Sequence, residues 1–279
     1  MNSRYFALTL LGVVQGIAEF LPISSSGHLV IIENLPLVHD SLKVISAETG
    51  LFIAVMLHLA TLLAVCAFMW KDIWYIVKGT ALALWTRNLS RHELRATLYI
   101  ICATIPAGII GYAFKDFFEG MFASPLATCF LLILNGTILI STKIIRPGVR
   151  KLEETGSYRS IGVGFFQAFA ILPGISRSGM TITGGMLAGL RPEEAARFSF
   201  LMAIPVIAGS GLLELLKAGR APLAGELIAP LCIALAVCFV VALASLKLLF
   251  YLVKKVRIDI FGYYTIAAGI AGAAYFLSI

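Results

Sequence analysis

The chain contains the same polar cluster twice, and each copy interrupts an apolar stretch. The first copy reads GVVQGIAEFLPISSSGH over residues 12–28, and the second reads GFFQAFAILPGISRSGM over residues 164–180. At an offset of 152 residues (164 minus 12), seven positions carry the same residue type. In the first copy these are Gly12, Gln15, Ala18, Ile23, Ser24, Ser26 and Gly27. This internal repeat predicts that the two halves of the chain fold alike.

The apolar residues around these clusters indicate the solvent in which the chain folds. Hydrophobic residues make up 59% of the 279 residues, charged residues make up 13%, and the mean hydropathy is +0.94. Soluble domains carry about 25% charged residues, so this composition predicts an integral membrane protein. Lipid offers no hydrogen-bond partners to the backbone, and the apolar stretches lack the alternation of a membrane barrel. We therefore expect an all-α polytopic membrane protein.

Six stretches are close to the length of about 20 residues that crosses a bilayer as a helix. They cover residues 47–70, 96–114, 124–142, 197–216, 227–249 and 259–278. Lys and Arg are concentrated in the loops 71–95, 143–159 and 254–257, which the positive-inside rule places in the cytoplasm. The loops around Asp40, around Asp116 and Glu119, and around Arg220 and Glu226 then face the other side. These basic loops account for the net charge of +7, and we expect no nucleic-acid partner.

The sides assigned to the loops fix how many times the chain crosses the membrane between them. With that number of crossings, neither polar cluster can lie in a single simple span. We predict two re-entrant helical hairpins that break at Pro and Gly residues and enter from opposite faces of the membrane. The chain is then one membrane domain of residues 1–279, with repeat halves of roughly 1–142 and 160–279. In such an inverted-topology repeat, broken helices meet near the membrane midplane and form a site there.

Hairpins that meet in this way would bring chemically useful side chains together. Glu19 offers a base, Ser25 a nucleophile, and His28 a second proton carrier or nucleophile. Arg177 adds a cationic fork suited to phosphate oxygens, and the restarting helices direct free N–H groups at an anion. Further candidates for contact with the ligand are Gln15, Ser24, Ser26, Gly174, Ser176, Ser178 and Thr181. The set predicts a site for a phosphorylated group.

Each candidate also has a purely structural interpretation. Serines after a proline are commonly helix caps, and His28 can be a hydrogen-bonded hairpin residue. Gln15 can hold helices together, and His58 favours packing or a polar contact. Glu19 and Arg177 can form a structural ion pair. An ionisable group at membrane depth costs about 2.5 kcal/mol or more, so Glu19 needs a partner or water under either interpretation.

The two motifs together resemble those of the bacterial undecaprenyl pyrophosphate phosphatases of the bacitracin-resistance (BacA/UppP) type. The resemblance rests on residues 15–28 and 173–181 and extends over essentially the whole chain. It implies removal of the terminal phosphate from undecaprenyl pyrophosphate, which gives the monophosphate that carries cell-wall precursors. By position, it implies Glu19, Ser25, His28 and Arg177 as catalytic residues. The family accepts Glu or Gln at its first acidic position, which is Gln15 here, so the carboxylate role falls to Glu19 alone.

The same resemblance implies a divalent cation, Mg²⁺ or Ca²⁺, with Glu19 as its candidate ligand. It also implies a multi-pass protein of the bacterial cytoplasmic (inner) membrane, surrounded by membrane lipids, with an active site open to the periplasmic face. Bacitracin would compete for the lipid substrate, and a homodimer is the candidate assembly. Spacing alone does not decide whether Ser25 or His28 attacks phosphorus.

The alternative function is a polyprenyl-phosphate transporter or flippase. Inverted repeats with broken helices are typical of carriers, and a lipid-phosphate carrier would also need an anion site. Glu19 and His28 distinguish the two functions, because a carrier needs them only if it is coupled to protons. Phosphate release by the purified protein would separate an enzyme from a carrier.

Overall fold

The structure is a computed structural model that describes residues 2–36, 38, 47–218 and 225–278. Within these ranges the chain consists of α-helices joined by turns and two short 3-10 helices. Six of the helices are long and apolar enough to cross a membrane, as the sequence predicts. The loops around Asp40 and Arg220 lie outside the described residues.

The first half of the chain contains one broken helix pair and three of the spans. Its helices are α1 (Asn2–Ala18), α2 (Ser25–Glu33), α3 (Ala47–Phe68), α4 (Trp70–Trp85), α5 (His92–Ala113), α6 (Lys115–Phe122) and α7 (Pro125–Ser141). The spans are α3, α5 and α7. Helix α2 has only 9 residues, about 14 Å at the usual rise, so it is shorter than the roughly 30 Å hydrocarbon core.

The second half repeats this plan with fewer connecting helices. Its helices are α8 (Ser157–Phe169), α9 (Arg177–Leu187), α10 (Pro192–Ala218), α11 (Gly225–Lys254) and α12 (Asp259–Leu277). Helices α8 and α9 are the second broken pair. The Arg150 N–H before α8 donates to the Gly189 carbonyl (3.1 Å), and the Arg191 N–H donates to the Arg150 carbonyl (3.1 Å). The two ends of this pair therefore lie side by side.

The two halves pack against each other reciprocally. Helix α1 lies along α11, helix α8 lies along α5, and the last spans of the two halves, α7 and α12, pack together. Gly12 and Gly164 occupy equivalent positions of the repeat and make equivalent contacts. A Cβ at Gly12 would lie 2.5 Å from the Ala234 carbonyl oxygen, and one at Gly164 would lie 2.5 Å from that of Ala103. Glycine therefore allows each broken pair to approach a span of the other half.

Aromatic packing anchors the first break in the core. Phe20, next to Glu19, is fully buried and meets Phe200 of α10 edge-on, with ring centroids 5.5 Å apart. Phe200 in turn contacts Phe250 of α11. Because Phe20 is buried against α10, the backbone next to Glu19 is anchored to that span.

Candidate active site

Both broken helix pairs are interrupted by a turn that contains a proline. Pro22 follows α1 and Pro173 follows α8. Proline lacks a backbone N–H and disfavours helical geometry at the preceding residue, so it favours a break at each turn. Pro106, Pro205 and Pro230 lie inside continuous helices, so proline alone does not account for the two breaks. Ser24 (φ 69°) and Gly174 (φ 99°) lie in the left-handed region. A serine in this conformation is strained, which is typical of functional sites.

The helices restart with the same cap in both copies. The Ser24 hydroxyl accepts a hydrogen bond from the Gly27 N–H (3.2 Å), and the Ser176 hydroxyl accepts one from the Gly179 N–H (3.2 Å). These serines are N-caps, so the structural interpretation holds for both. The first helical residues are then Ser25 in α2 and Arg177 in α9. They are equivalent in the repeat but different in chemistry.

The Glu19 carboxylate joins the two copies. Its Oε1 accepts a hydrogen bond from Arg177 Nη2 (2.5 Å), and its Oε2 accepts hydrogen bonds from Ser25 Oγ (2.9 Å) and Gln15 Nε2 (3.0 Å). Only 7% of Glu19 is exposed. A buried carboxylate with a cation and two further donors avoids most of the cost of an unpaired charge. The ion pair between Glu19 and Arg177, which the sequence left open as the structural interpretation, is therefore present.

The guanidinium of Arg177 is only partly used by this ion pair. Its Nη1 is buried and has no hydrogen-bond partner within the described part of the chain. A guanidinium carries five N–H donors in a planar fork that matches the oxygens of a phosphate. One nitrogen of the fork is thus left for a ligand beside Glu19.

These residues surround a cavity of about 300 Å³. Small-molecule sites usually begin near this size. Its polar lining comes from Glu19, Ser24, Ser25, Ser26, His58, Ser176, Arg177 and Ser210. Its apolar lining includes Phe122, Ile171, Val206 and Ile207. A cavity lined by both polar and apolar side chains suits an amphiphile that carries an anionic group.

The structure brings His58 into this cavity, whereas His28 points elsewhere. His58 Nδ1 donates to the Ala54 carbonyl (2.8 Å), and its Nε2 lies 3.8 Å from Glu19 Oε2. His28 Nδ1 donates to the Ser24 carbonyl (2.8 Å), and its Nε2 accepts from the hydroxyl of Tyr264 in α12 (2.9 Å). Both ring nitrogens of His28 are thus engaged outside the cavity lining, and its catalytic role stays a prediction.

Four other predicted ligand contacts lie behind the cavity wall; these are Gln15, Gly174, Ser178 and Thr181. Thr181 Oγ1 donates to the Arg177 carbonyl (2.7 Å), and the hydroxyls of Ser178 and Ser176 are 3.1 Å apart. Here they support residues that face the cavity, and their direct contact with a ligand stays a prediction.

A single amide connects the two turns. Asn135 of α7 is fully buried, and its Nδ2 donates to the Pro22 carbonyl (3.2 Å). Its Oδ1 accepts from the Ser176 N–H (2.9 Å). One side chain thus fixes the turn after Glu19 relative to the turn before Arg177. Sequence reasoning missed Asn135, although a lone amide in an apolar span was a usable signal.

We expect Asn135→Ala to destabilise the protein and to lower its activity together. The change leaves the Pro22 carbonyl and the Ser176 N–H without partners, which costs about 1–3 kcal/mol for each buried group. The thermal midpoint of the purified protein in detergent measures the loss of stability. Thr137→Ala is the control, because Thr137 is on the same helix and its hydroxyl donates to the Ile133 carbonyl of that helix. An Asn135→Ala protein that melts like the wild type would show that the amide does not hold the turns.

Comparison with known proteins places the chain in a family. Residues 8–271 match the family described as "Bacitracin resistance protein BacA". The chain belongs to this family. A relative from Rubrobacter xylanophilus is 37% identical over 96% of this chain and 97% of its own length. Relatives from Pelotomaculum thermopropionicum (41% identical, 75% of each chain) and Methanosphaera stadtmanae (37% identical, 94% of each chain) carry the same name, "Undecaprenyl-diphosphatase".

The side chains of the cavity can hold a metal ion only if a bound ligand supplies some of the oxygen atoms that coordinate it. Glu19 is the acidic residue of the lining. The described residues contain no group of three or more His, Cys, Asp or Glu side chains that could hold an ion. Mg²⁺ in phosphate sites usually has one or two carboxylates, with the rest of its shell from phosphate oxygens and water. Glu19 therefore suits an ion that is shared with a bound diphosphate.

Proposed function

We propose that this multi-pass membrane protein is an undecaprenyl diphosphatase. It would hydrolyse the terminal phosphate of undecaprenyl diphosphate and leave undecaprenyl phosphate for cell-wall synthesis. Membership of the BacA family and the names of the relatives support the proposal. The observation that carries it is the unused Nη1 of Arg177, a donor for an anion beside a serine that is hydrogen-bonded to a carboxylate.

Substrate binding follows from the charges around the cavity. The terminal phosphate would accept hydrogen bonds from the Arg177 fork, and charge-assisted bonds of this kind are strong. The first turns of α2 and α9 add backbone N–H groups that lack intrahelical acceptors, and the helix dipoles favour an anion at these ends. The apolar side of the cavity, with Phe122, Val206 and Ile207, would contact the first units of the polyprenyl chain.

The contacts of Ser25 suggest the chemical step. Ser25 Oγ would attack the terminal phosphorus while Glu19 takes its proton, and the bond to the bridging oxygen would break. Undecaprenyl phosphate leaves, and water then attacks the phosphoserine. The bond from phosphorus to Ser25 Oγ breaks, Glu19 returns its proton to Ser25, and the protons of the water leave with inorganic phosphate and to the solvent. Arg177 would stabilise the charge on the equatorial oxygens of a loose transition state. His28 is the alternative nucleophile, and it would first have to give up its bond to Tyr264.

We further propose that the reaction uses Mg²⁺ or Ca²⁺. Such an ion neutralises charge on the diphosphate oxygens when it is bound. In this chain Glu19 would hold it, together with oxygens of the substrate. Glu19 would then orient the diphosphate as well as accept the proton of Ser25.

A carrier remains the second candidate function, because the broken and reciprocally packed helices resemble those of transporters. The contact between Ser25 and Glu19 favours the enzyme, since a carrier needs no nucleophile. Purified protein in detergent has no membrane across which to transport lipid. We expect it to release inorganic phosphate from undecaprenyl diphosphate when Mg²⁺ or Ca²⁺ is present. A folded preparation that binds the lipid but releases no phosphate with either ion would favour the carrier.

The proposal includes a location and a topology. The chain would lie in the inner membrane as an inverted repeat of two re-entrant hairpins, with its cavity open to the periplasm. Bacitracin would compete for the lipid, and a homodimer is the proposed assembly. The short α2 and the adjacent ends of the second pair support the hairpins. Single cysteines at Glu119 and Arg150, in a protein that lacks its five native cysteines, should react from opposite sides of the membrane. Labelling from one side would contradict this topology.

His58 provides a further prediction. We expect His58→Asn to lower turnover by about 10²-fold, the lower range for loss of a proton-transferring group, because its Nε2 faces Glu19 across the cavity. Steady-state phosphate release measures the effect. His92→Asn is the matched control, since His92 begins α5 and is not part of the cavity lining. Unchanged turnover in His58→Asn would restrict His58 to packing.

A further inference from the structure

Helix α4 carries an exposed stripe of aromatic and basic side chains. Lys71, Trp74, Lys78 and Leu82 follow one another at helical spacings of three and four, so they lie on one face. Trp74 is 61% exposed and both lysines are exposed. The opposite face is buried through Ile76, Gly79 and Ala83. The stripe is therefore not needed to pack the helix.

The stripe forms one wall of a second cavity, of about 440 Å³, between α4 and the start of α5. Its charged lining consists of Lys71, Lys78, Arg91 and Glu93. Arg91 Nη2 is 2.9 Å from Glu93 Oε1, so the carboxylate is already neutralised. Within the described part of the chain, Lys71 and Lys78 have neither an ion-pair nor a hydrogen-bond partner. Three cations and one carboxylate give the cavity a net charge of +2.

This cavity lies at a membrane boundary. The span in α3 ends at Phe68, immediately before α4, and the span in α5 begins at His92, immediately after Arg91. Trp and Tyr concentrate at the level of lipid headgroups, where Lys and Arg meet lipid phosphates. The cavity offers both kinds of side chain, since Trp70, Trp74 and Tyr75 line it beside the two lysines.

We propose that the cavity between α4 and α5 binds the headgroup of an anionic glycerophospholipid. Lys71 and Lys78 would contact the phosphate, and the exposed rings of Trp70 and Trp74 would lie along the first part of the acyl chains. The net positive charge favours an anionic lipid over a zwitterionic one. This site is separate from the cavity around Glu19 and does not depend on the proposed function.

The tryptophans make the proposal directly measurable. The chain has three tryptophans, Trp70, Trp74 and Trp85, and all lie in α4. Intrinsic fluorescence therefore reports on this helix and not on the cavity around Glu19. The full chain is reconstituted in phosphatidylcholine vesicles that contain brominated phosphatidylglycerol or, at the same mole fraction, brominated phosphatidylcholine. We expect brominated phosphatidylglycerol to quench the tryptophans more strongly than brominated phosphatidylcholine does. Each lysine should contribute about fivefold to the preference for binding the anionic lipid.

Two double variants complete the experiment. Lys71→Gln with Lys78→Gln should abolish the preference while the emission in unbrominated vesicles stays unchanged. Lys247→Gln with Lys254→Gln is the control, because these exposed lysines of α11 have the same spacing of seven residues. It should keep the wild-type preference. Equal quenching by both lipids in the wild type, or the same loss in both double variants, would overturn the proposal.

Discussion

Replacing Glu19 by glutamine should lower the turnover of phosphate release by about 10²- to 10⁴-fold, the usual contribution of a general base. The side chain keeps its size, but its single carbonyl oxygen can replace only one of the two carboxylate oxygens, which accept from Arg177 and from Ser25. It can no longer take the proton of the Ser25 hydroxyl, which now donates to Glu19 Oε2 at 2.9 Å. Substrate binding should be largely retained, so the change should appear in kcat more than in KM.

The control for Glu19→Gln is Glu33→Gln. Glu33 ends α2 on the exposed surface and undergoes the same chemical change outside the cavity. Its turnover should match that of the wild type. If Glu19→Gln kept most of the wild-type turnover, Glu19 would not be the base, and the proton of Ser25 would need another acceptor.

Arg177→Lys should weaken both binding and turnover, with a loss of about 10²- to 10³-fold in kcat, as for other transition-state donors. Lysine keeps the charge and can still pair with Glu19. It lacks the second nitrogen of the fork, which in Arg177 is buried and unpartnered within the described residues. Phosphate release at varied substrate concentration measures KM and kcat together. Arg191→Lys is the matched control, since Arg191 bonds to the Val149 carbonyl away from the cavity.

The two variants also test the structural interpretation of the ion pair. Glu19 and Arg177 are buried, so removal of one charge alone could destabilise the fold. Thermal midpoints distinguish a structural ion pair from a catalytic one. They are measured for Glu19→Gln, for Arg177→Lys and for a double variant with both charges removed. If the single variants melt early and the double variant recovers both stability and activity, the pair is structural. Catalysis would then depend on Ser25, with His28 or His58 as its partner.

The membrane spans and the two breaks could be predicted because their causes are local. Hydropathy over about 20 residues defines a span. A proline together with glycine and serine residues in a polar cluster favours a break, whereas Pro106, Pro205 and Pro230 lie inside continuous helices. The repeat also indicated which residues are equivalent, and Ser24 and Ser176 make the same cap in their two copies. An ion pair between Glu19 and Arg177 was one of two interpretations that the sequence left open, because each charge is costly alone in an apolar environment.

Which of the two histidines lines the cavity could not be predicted, because this depends on contacts that are distant in sequence. The ring of His28 is bonded to Tyr264, which lies 236 residues further along the chain. His58 was predicted as a packing or polar contact, and the packing of α3 against α10 and α11 directs its ring toward Glu19. Asn135 was missed for the same reason, since its two partners belong to different halves of the chain.

The most direct test of a phosphatase site at Glu19, Ser25 and Arg177 follows the oxygen of water. Purified protein turns over undecaprenyl diphosphate in ¹⁸O-labelled water, and mass spectrometry locates the label in the two products. If the terminal phosphorus is attacked, the label should appear in inorganic phosphate and not in undecaprenyl phosphate, whether water attacks directly or through a phosphoserine. Label in the lipid monophosphate, or binding of the lipid without any labelled phosphate, would contradict the proposed reaction.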